Sequence, residues 1–384
     1  MAGAFAQELS QPLFLKVPLI RNTGLSAYLA KMDVGTPPQE QYVKIDTGSP
    51  TYSFLDPRNP FCTTDNNPCS SASTFDNLTS STSKYRGPGF YDMLIDHGFG
   101  PYLQDQVSIG GKLIPDAYFG YLDTYPFSSN VQLPVTTIAG MSLLYGNSSN
   151  YTSSGAWLLP QLKDANLIDK LVVSFYLGED SRNGSHAQMI LGAAYDKAKI
   201  EGTPFTVPMV DPYVAGANDQ TNSVYITKLQ SVIGGNVTNA SFGNSSIGKP
   251  VLMDTGSPFW PIPEPIFDQV YRKLGQPTER DRTDGHYIFD CEVRKTLNDT
   301  EDYVTVYFGE AGEIKVPLSR LVTDFGNGSC GAFVTNGGDD LERAFGDPFL
   351  RSTYITLDQE ELTVTFGQVK YTNQEDIVAL PIRG

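Results

Sequence analysis

"VKIDTGSPTY" (residues 43–52) and "VLMDTGSPFW" (residues 251–260) are nearly the same ten residues, written twice in one chain of 384. Their aspartates, Asp46 and Asp254, stand 208 positions apart. The repetition runs deeper than these two stretches. Gly140, closing the triplet Ile138-Ala139-Gly140, lies 94 residues past Asp46, and Gly346, closing Ala344-Phe345-Gly346, lies 92 past Asp254. Both halves thus keep one order: a strand, an Asp-Thr-Gly turn, a long β segment, and a strand ending in glycine. Two related lobes, residues 1–200 and 201–384 joined near 195–215, would each bring one aspartate to a pseudo-twofold interface.

An Asp-Thr-Gly turn has a mechanical logic. The aspartate ends a buried strand, the threonine can hydrogen-bond across to the other lobe, and glycine permits a backbone conformation closed to other residues. A serine hydroxyl just beyond can orient the carboxylate. A buried carboxyl is costly unless it is paired or hydrogen-bonded, so two at one interface point to a shared proton or a metal. Two carboxyls in contact cannot both ionise cheaply, so one proton is held between them and they titrate as a pair. The ionised partner can then take a proton from water while the protonated one supports a carbonyl oxygen, which is general acid–base peptide hydrolysis.

The rest of the chain fits a secreted β protein. Hydrophobic residues make up 40% and charged residues 18%, with 36 glycines and 26 prolines, a composition of short strands and many turns. A net charge of −16 without any Lys/Arg block argues against nucleic acid and anionic membranes as partners. No apolar stretch is long enough to span a bilayer. The four cysteines allow three pairings. Cys62–Cys69 and Cys291–Cys330 are the simplest, each within one half; no CxxC or neighbouring histidine suggests a metal, and no cofactor is expected. Nine sequons favour export as a glycoprotein: Asn77, Asn147, Asn150, Asn183, Asn236, Asn239, Asn244, Asn298 and Asn327. Strands are expected in "LFLKVPLI", "QVSIGG", "VVSFYLG", "QMILG", "SVYITKLQSVIGG", "YVTVYFG" and "LTVTFG", with helices over 157–165 and 265–274. Polar stretches 62–84, 145–155 and 215–222 read as surface loops. Trp157 and Trp260 are expected to pack internally, Asp347 to be structural, and His186 and His286 to be solvated.

Along almost its whole length the chain resembles the pepsin-like aspartic endopeptidases. "AYLAKMDVGTPPQEQYVKIDTGS" matches the entry strand, the Gly-Thr-Pro-Pro-Gln turn and the first catalytic loop. "DQVSIGG", "LIDKLVVSFYLGED" and "MILGAAYDKAKIEG" match later parts of the first lobe. "VLMDTGSP" and "AFGDPFLRSTYITLD" match the second. The resemblance implies a mostly β, bilobal fold with a central cleft, and Asp46 and Asp254 as the catalytic pair. It also implies Thr47 and Thr255 as cross-braces, Gly48 and Gly256 as their glycines, and Ser49 and Ser257 as hydroxyl supports. A polypeptide substrate, inhibition by pepstatin-like compounds, an acidic working range, a monomer, and a secreted or cell-wall-associated location of fungal type follow as expectations.

The chain departs from that family at the flap. In relatives a hairpin closes over substrate with a Tyr-Gly at its tip, and its tyrosine pairs with a tryptophan seven residues past the first aspartate. Here that position is Ser53, and "FYDMLIDHGFGPYLQ" contains no Tyr-Gly. Tyr91, Met93 or Ile95 takes the tyrosine's place, while Asp96 and His97 read either as substrate contacts or as turn residues. A remodelled flap with altered specificity is expected. The opening "MAGAFAQELS" reads as a signal-peptide remnant, with Ala4-Phe5-Ala6 as a small-x-small site, or as a bare start. The absence of a basic prosegment ahead of Leu25 is expected to mean a processed form or an enzyme without that control, and the tail "EDIVALPIRG" resembles those of secreted fungal relatives. The competing reading is a catalytically weak binding or inhibitor protein on the same fold. Intact Asp-Thr-Gly-Ser in both copies disfavours it, and the lack of a Gly-x-Ser-x-Gly elbow disfavours a serine hydrolase.

Overall fold

The structure, a computed structural model, describes residues 12–22, 27–60, 62–63, 69, 73–92, 98–124, 137–143, 156–179, 186–210, 222–242, 248–277, 279–280, 286–325, 328–338 and 344–380. The runs rich in Val, Ile, Tyr and Phe fold as strands, because branched and aromatic side chains pack well on a pleated surface. The result is a bilobal, mostly β molecule. Every apolar run quoted above contains a strand, including "LFLKVPLI", which lies within Phe14–Asn22.

Six adjacent strands tie the two sequence halves together, in the order Ile200–Pro208, Thr363–Val369, Thr353–Asp358, Val172–Tyr176, Gln188–Gly192 and Phe14–Asn22. At the centre, Phe175 faces Ile355 and Val173 faces Leu357 across an antiparallel pair. Val172–Tyr176 and Gln188–Gly192 are buried at every residue; they are apolar apart from Ser174, which bonds Thr356, and Gln188, which donates to Asp196. The sheet continues through Ala27–Val34, Gln39–Asp46, Ile138–Gly140 and Tyr52–Leu55, then the antiparallel strands Lys112–Leu122, Gly98–Ile109 and Lys84–Asp92. The second half builds smaller sheets, among them Ser223–Ile226, Lys249–Met253 and Ala344–Phe345.

Both expected helices form, as Leu158–Asp164 and Glu264–Lys273. In the second, Ile266, Phe267 and Val270 make a buried stripe at helical spacing. Its Pro265 sits in the first turn, and Glu264 and Arg272–Lys273 suit the two ends of the helix dipole. Trp260 is fully buried against Phe345 and Phe349. The cysteines pair as Cys62–Cys69 and Cys291–Cys330.

His286 corrects the solvated reading given above. It is buried, with its ring 4.6 Å from that of Phe333 and 5.0 Å from that of Phe325. Its neighbours in sequence are polar, but two aromatic partners from distant segments, Phe325 and Phe333, enclose it. His186 is exposed. Of the sequons, Asn236, Asn239 and Asn298 are exposed and Asn77 is half-buried, its Oδ1 accepting from Arg58 and Tyr121. Asn147, Asn150, Asn183, Asn244 and Asn327 lie outside the described residues.

Candidate active site

Each Asp-Thr-Gly loop leaves a strand that is laid down beside its repeat partner. Gln39–Asp46 runs parallel to Ile138–Gly140, so Asp46 sits opposite Gly140. Lys249–Met253 runs parallel to Ala344–Phe345, so Met253, just before Asp254, sits opposite Phe345. The two glycine-ended triplets found by spacing therefore occupy equivalent places. Their glycines do the same work. A Cβ on Gly140 would lie 2.5 Å from the carbonyl oxygens of Ser49 and Thr51, and one on Gly346 would lie 2.2 and 2.5 Å from those of Ser257 and Phe259. Only a residue without a side chain lets the second strand pass under the loop so closely.

The loops meet face to face. The backbone nitrogen of Thr47 donates to the Thr255 hydroxyl at 3.1 Å, and that of Thr255 donates to the Thr47 hydroxyl at 2.9 Å. Each hydroxyl in turn donates across the interface, Thr47 to the Met253 carbonyl at 2.6 Å and Thr255 to the Ile45 carbonyl at 2.9 Å. Asp46 Oδ1 accepts from the Gly48 nitrogen at 2.8 Å, and Asp254 Oδ1 from the Gly256 nitrogen at 2.7 Å. Each carboxyl is thus oriented by its own loop and faces the opposite one.

Gly48 and Gly256 are needed for space, not for an unusual backbone. Neither has a positive φ, contrary to the expectation from the turn's logic. A Cβ on Gly48 would stand 2.5 Å from Asp254 Oδ1, and one on Gly256 would stand 2.3 Å from Asp46 Oδ1 and 3.0 Å from Asp254 Oδ1. The glycines let the carboxyls approach. Burial of the Asp254 carboxyl, the charge of Asp46 and the hydrogen bond between the two side chains push the Asp254 pKa well above the usual carboxylate range.

The serines behave differently from the expectation. Ser49 Oγ lies 3.4 Å from Thr51 Oγ1, and Ser257 Oγ accepts from the Phe259 nitrogen at 3.3 Å. Among the described residues neither serine hydroxyl bonds a carboxylate. In the hairpin expected to be the flap, Lys84–Asp92 pairs with Gly98–Ile109 up to Asp92 opposite Gly98. Tyr91 is exposed beside Phe99, and Phe90 is buried against the Cys62–Cys69 disulfide and Leu122. Ile95, Asp96 and His97 lie outside the described residues, as does Met93. Ser53 is fully buried, and its hydroxyl has no hydrogen-bond partner among the described residues.

Two polar clusters support the loops, one that the sequence did not announce and one built on Asp347, expected from the sequence to be structural. Asn222, wholly buried, donates Nδ2 to the Thr47 carbonyl at 2.9 Å and accepts on Oδ1 from Gln359 Nε2 at 2.6 Å. Gln359 Nε2 also reaches the Met141 carbonyl, and the Met141 nitrogen donates to the Asp46 carbonyl. Asp347, next to Gly346, accepts from Arg21 at 2.8 Å and Tyr28 at 2.7 Å and lies 3.2 Å from Arg351 Nε. Burial would raise its pKa, but Arg21 and Arg351 outweigh that and hold it below the usual range.

The family model for eukaryotic aspartyl proteases matches residues 27–369. Among curated proteins, barrierpepsin of Saccharomyces cerevisiae is 29% identical, aligned over 91% of this chain and 61% of its own length. An acid protease of Saccharomycopsis fibuligera is 28% identical over 90% and 82%. Secreted aspartic protease 7 of Candida albicans is 27% identical over 92% and 62%. The chain therefore spans about three-fifths of the length of two of these relatives.

Proposed function

The chain belongs to the eukaryotic aspartyl protease family, and from that premise we propose that it is an aspartic endopeptidase whose reacting groups are Asp46 and Asp254. The observation that carries this reading is the meeting of two carboxyls from opposite loops, close enough for the charge of one to raise the other's pKa. The pair holds one proton between its two carboxyls. The ionised carboxyl accepts a proton from water, and the water oxygen attacks the peptide carbonyl carbon. The protonated carboxyl gives its proton to the carbonyl oxygen, producing a neutral tetrahedral species. The carboxyl that took the proton of water passes it to the nitrogen, its partner takes back a proton from one hydroxyl, and the C–N bond breaks to leave an amine and a carboxylic acid. No covalent enzyme intermediate is required.

Residues 1–200 and 201–384 serve as the two lobes, and the substrate is a polypeptide lying between them. Thr47, Gly48, Thr255 and Gly256 position the pair. Secretion is supported by two disulfides, exposed sequon asparagines and the similarity to the secreted aspartic protease of Candida albicans. Among the described residues no helix is long and apolar enough to cross a membrane.

The test is digestion of a denatured protein in acidic and in neutral buffer, with and without pepstatin. Cleavage confined to acidic buffer, blocked by pepstatin and absent in Asp46→Asn and Asp254→Asn is the expected result. A folded protein that binds peptides but cleaves none would favour the binding-protein alternative.

A further inference from the structure

Lys44 stands two residues before Asp46 in the strand Gln39–Asp46, where side chains alternate between faces. It therefore shares a face with Asp46, its Cα about 6.6 Å away along the strand. Across the flanking strands its partners are Leu29 and Ile138, both buried and apolar. Lys44 itself is half-buried and makes no ion pair among the described residues. Lys31, two pairs further along the same strands, differs in this respect: it is exposed and bonds Glu40. The face that Lys44 shares with Asp46 turns it toward the site where the loops meet, and its positive charge opposes the rise of the Asp254 pKa.

Val43 and Ile45 point to the opposite, fully buried face, while Lys44 lies on the face of Glu40 and Tyr42 and is half-buried beside apolar Leu29 and Ile138. Losing water without gaining a partner is unfavourable for an ammonium, and a carboxylate brought by a ligand would offset that loss. Asp46, two residues further along the same strand, and Asp254 are the acids of the site that Lys44 shares a face with. They are engaged with each other and with Gly48 and Gly256, and neither lies within ion-pair distance of Lys44.

Resting on the endopeptidase reading, we propose that Lys44 is a specificity-determining residue that selects an acidic side chain close to the scissile bond. A peptide residue beside the bond held at Asp46 and Asp254 passes within reach of the Lys44 ammonium. Aspartate or glutamate there forms a charge-assisted hydrogen bond in a partly dry setting, while a lysine or arginine meets a like charge.

The test uses one parent peptide in which Glu, Gln, Leu or Lys is scanned through the two positions on either side of the cleaved bond. Cleavage is followed at about pH 5.5, above the ordinary glutamate pKa. For the wild-type protein kcat/KM favours Glu over Gln by about tenfold at one of these positions. Lys44→Met loses that preference, and Lys44→Glu prefers Lys there. Each comparison is a ratio within one variant, so a general loss of activity or of folded protein does not disturb it. The same peptides with a hydroxyethylene in place of the scissile amide, titrated by fluorescence, read the preference as binding without turnover. If no variant cleaves any peptide but the Glu analogue still binds in a Lys44-dependent way, the endopeptidase reading fails and the acidic selectivity stands. A wild type indifferent to Glu against Gln at all four positions overturns the proposal. So does a Lys44→Met protein that retains the preference.

Discussion

Thr47 and Thr255 hold each other by reciprocal hydrogen bonds, each backbone nitrogen donating to the other's hydroxyl, although 208 positions separate them. Both side chains are buried, and each hydroxyl also donates to a carbonyl on the far side. Thr47→Val keeps the shape of the side chain and removes the hydroxyl. It leaves the Thr255 nitrogen without an acceptor and the Met253 carbonyl without a donor. Two orphaned buried groups cost about 2–4 kcal/mol together. Thr47→Ser keeps the hydroxyl and should lose under about 1.5 kcal/mol. Urea unfolding of the two variants separates these outcomes; equal losses would mean that the hydroxyl is not what joins the loops.

Gly256→Ala tests the closeness of the carboxyls without altering any acid. Its Cβ would stand 2.3 Å from Asp46 Oδ1, so the two side chains must part. Overpacking of this kind costs about 1–3 kcal/mol, leaving a folded protein. Peptidase activity should fall by on the order of a hundredfold or more, since the geometry that shares the proton is lost. Gly48→Ala, crowding Asp254 in the same way, should match it. Full activity in either variant would show that the carboxyls need not touch.

The sequence was legible where one segment carries its own signal. Two Asp-Thr-Gly copies, two glycine-ended triplets, both helices and both disulfides could be read from local pattern and spacing. What stayed hidden depends on segments distant in the chain. His286 looks solvated beside Asp284 and Gly285, yet Phe325 and Phe333 enclose it. The glycines after Thr47 and Thr255 suggested unusual backbone, whereas the reason for them is the carboxyl of the opposite loop. Nothing around Asn222 or Gln359 marks them as a pair, because the 137 positions between them close only in the folded chain.

Asp254 and Asp347 should bend stability against pH in opposite directions. Asp254 keeps its proton above the pH at which an unfolded aspartate releases it, so its contribution is complete in acid and disappears as pH rises through the folded value. Asp347, held low by Arg21 and Arg351, contributes above the unfolded value of about 3.9 and loses that contribution as pH falls through its folded value. Asp254→Asn should therefore match wild type in acid and exceed it at neutral pH by on the order of 1 kcal/mol or more. Asp347→Ala should cost about 3–5 kcal/mol near neutrality, where Arg21 and Arg351 lose their buried partner, and less in strong acid. Unfolding free energies measured across pH for both variants decide this. A parallel dependence in wild type and Asp254→Asn would show that the raised proton affinity is absent.

The Asn222–Gln359 pair should govern the placement of the first loop more than the strength of the fold. Asn222 has a φ of 74°, so Asn222→Gly keeps the backbone at ease and removes only the amide. The Thr47 carbonyl and Gln359 Nε2 then lose a partner, at about 1–3 kcal/mol. Gln359→Met preserves volume and frees Asn222 Oδ1 and the Met141 carbonyl instead. Because both variants break one bond in common, their losses should not add, and the double variant should be more stable than the sum predicts by about 1 kcal/mol. Both singles should lower kcat with KM little changed, since they shift Thr47 and Asp46 and not the walls that bind a peptide. Strictly additive stabilities, or a change confined to KM, would place this pair outside the machinery that positions Asp46.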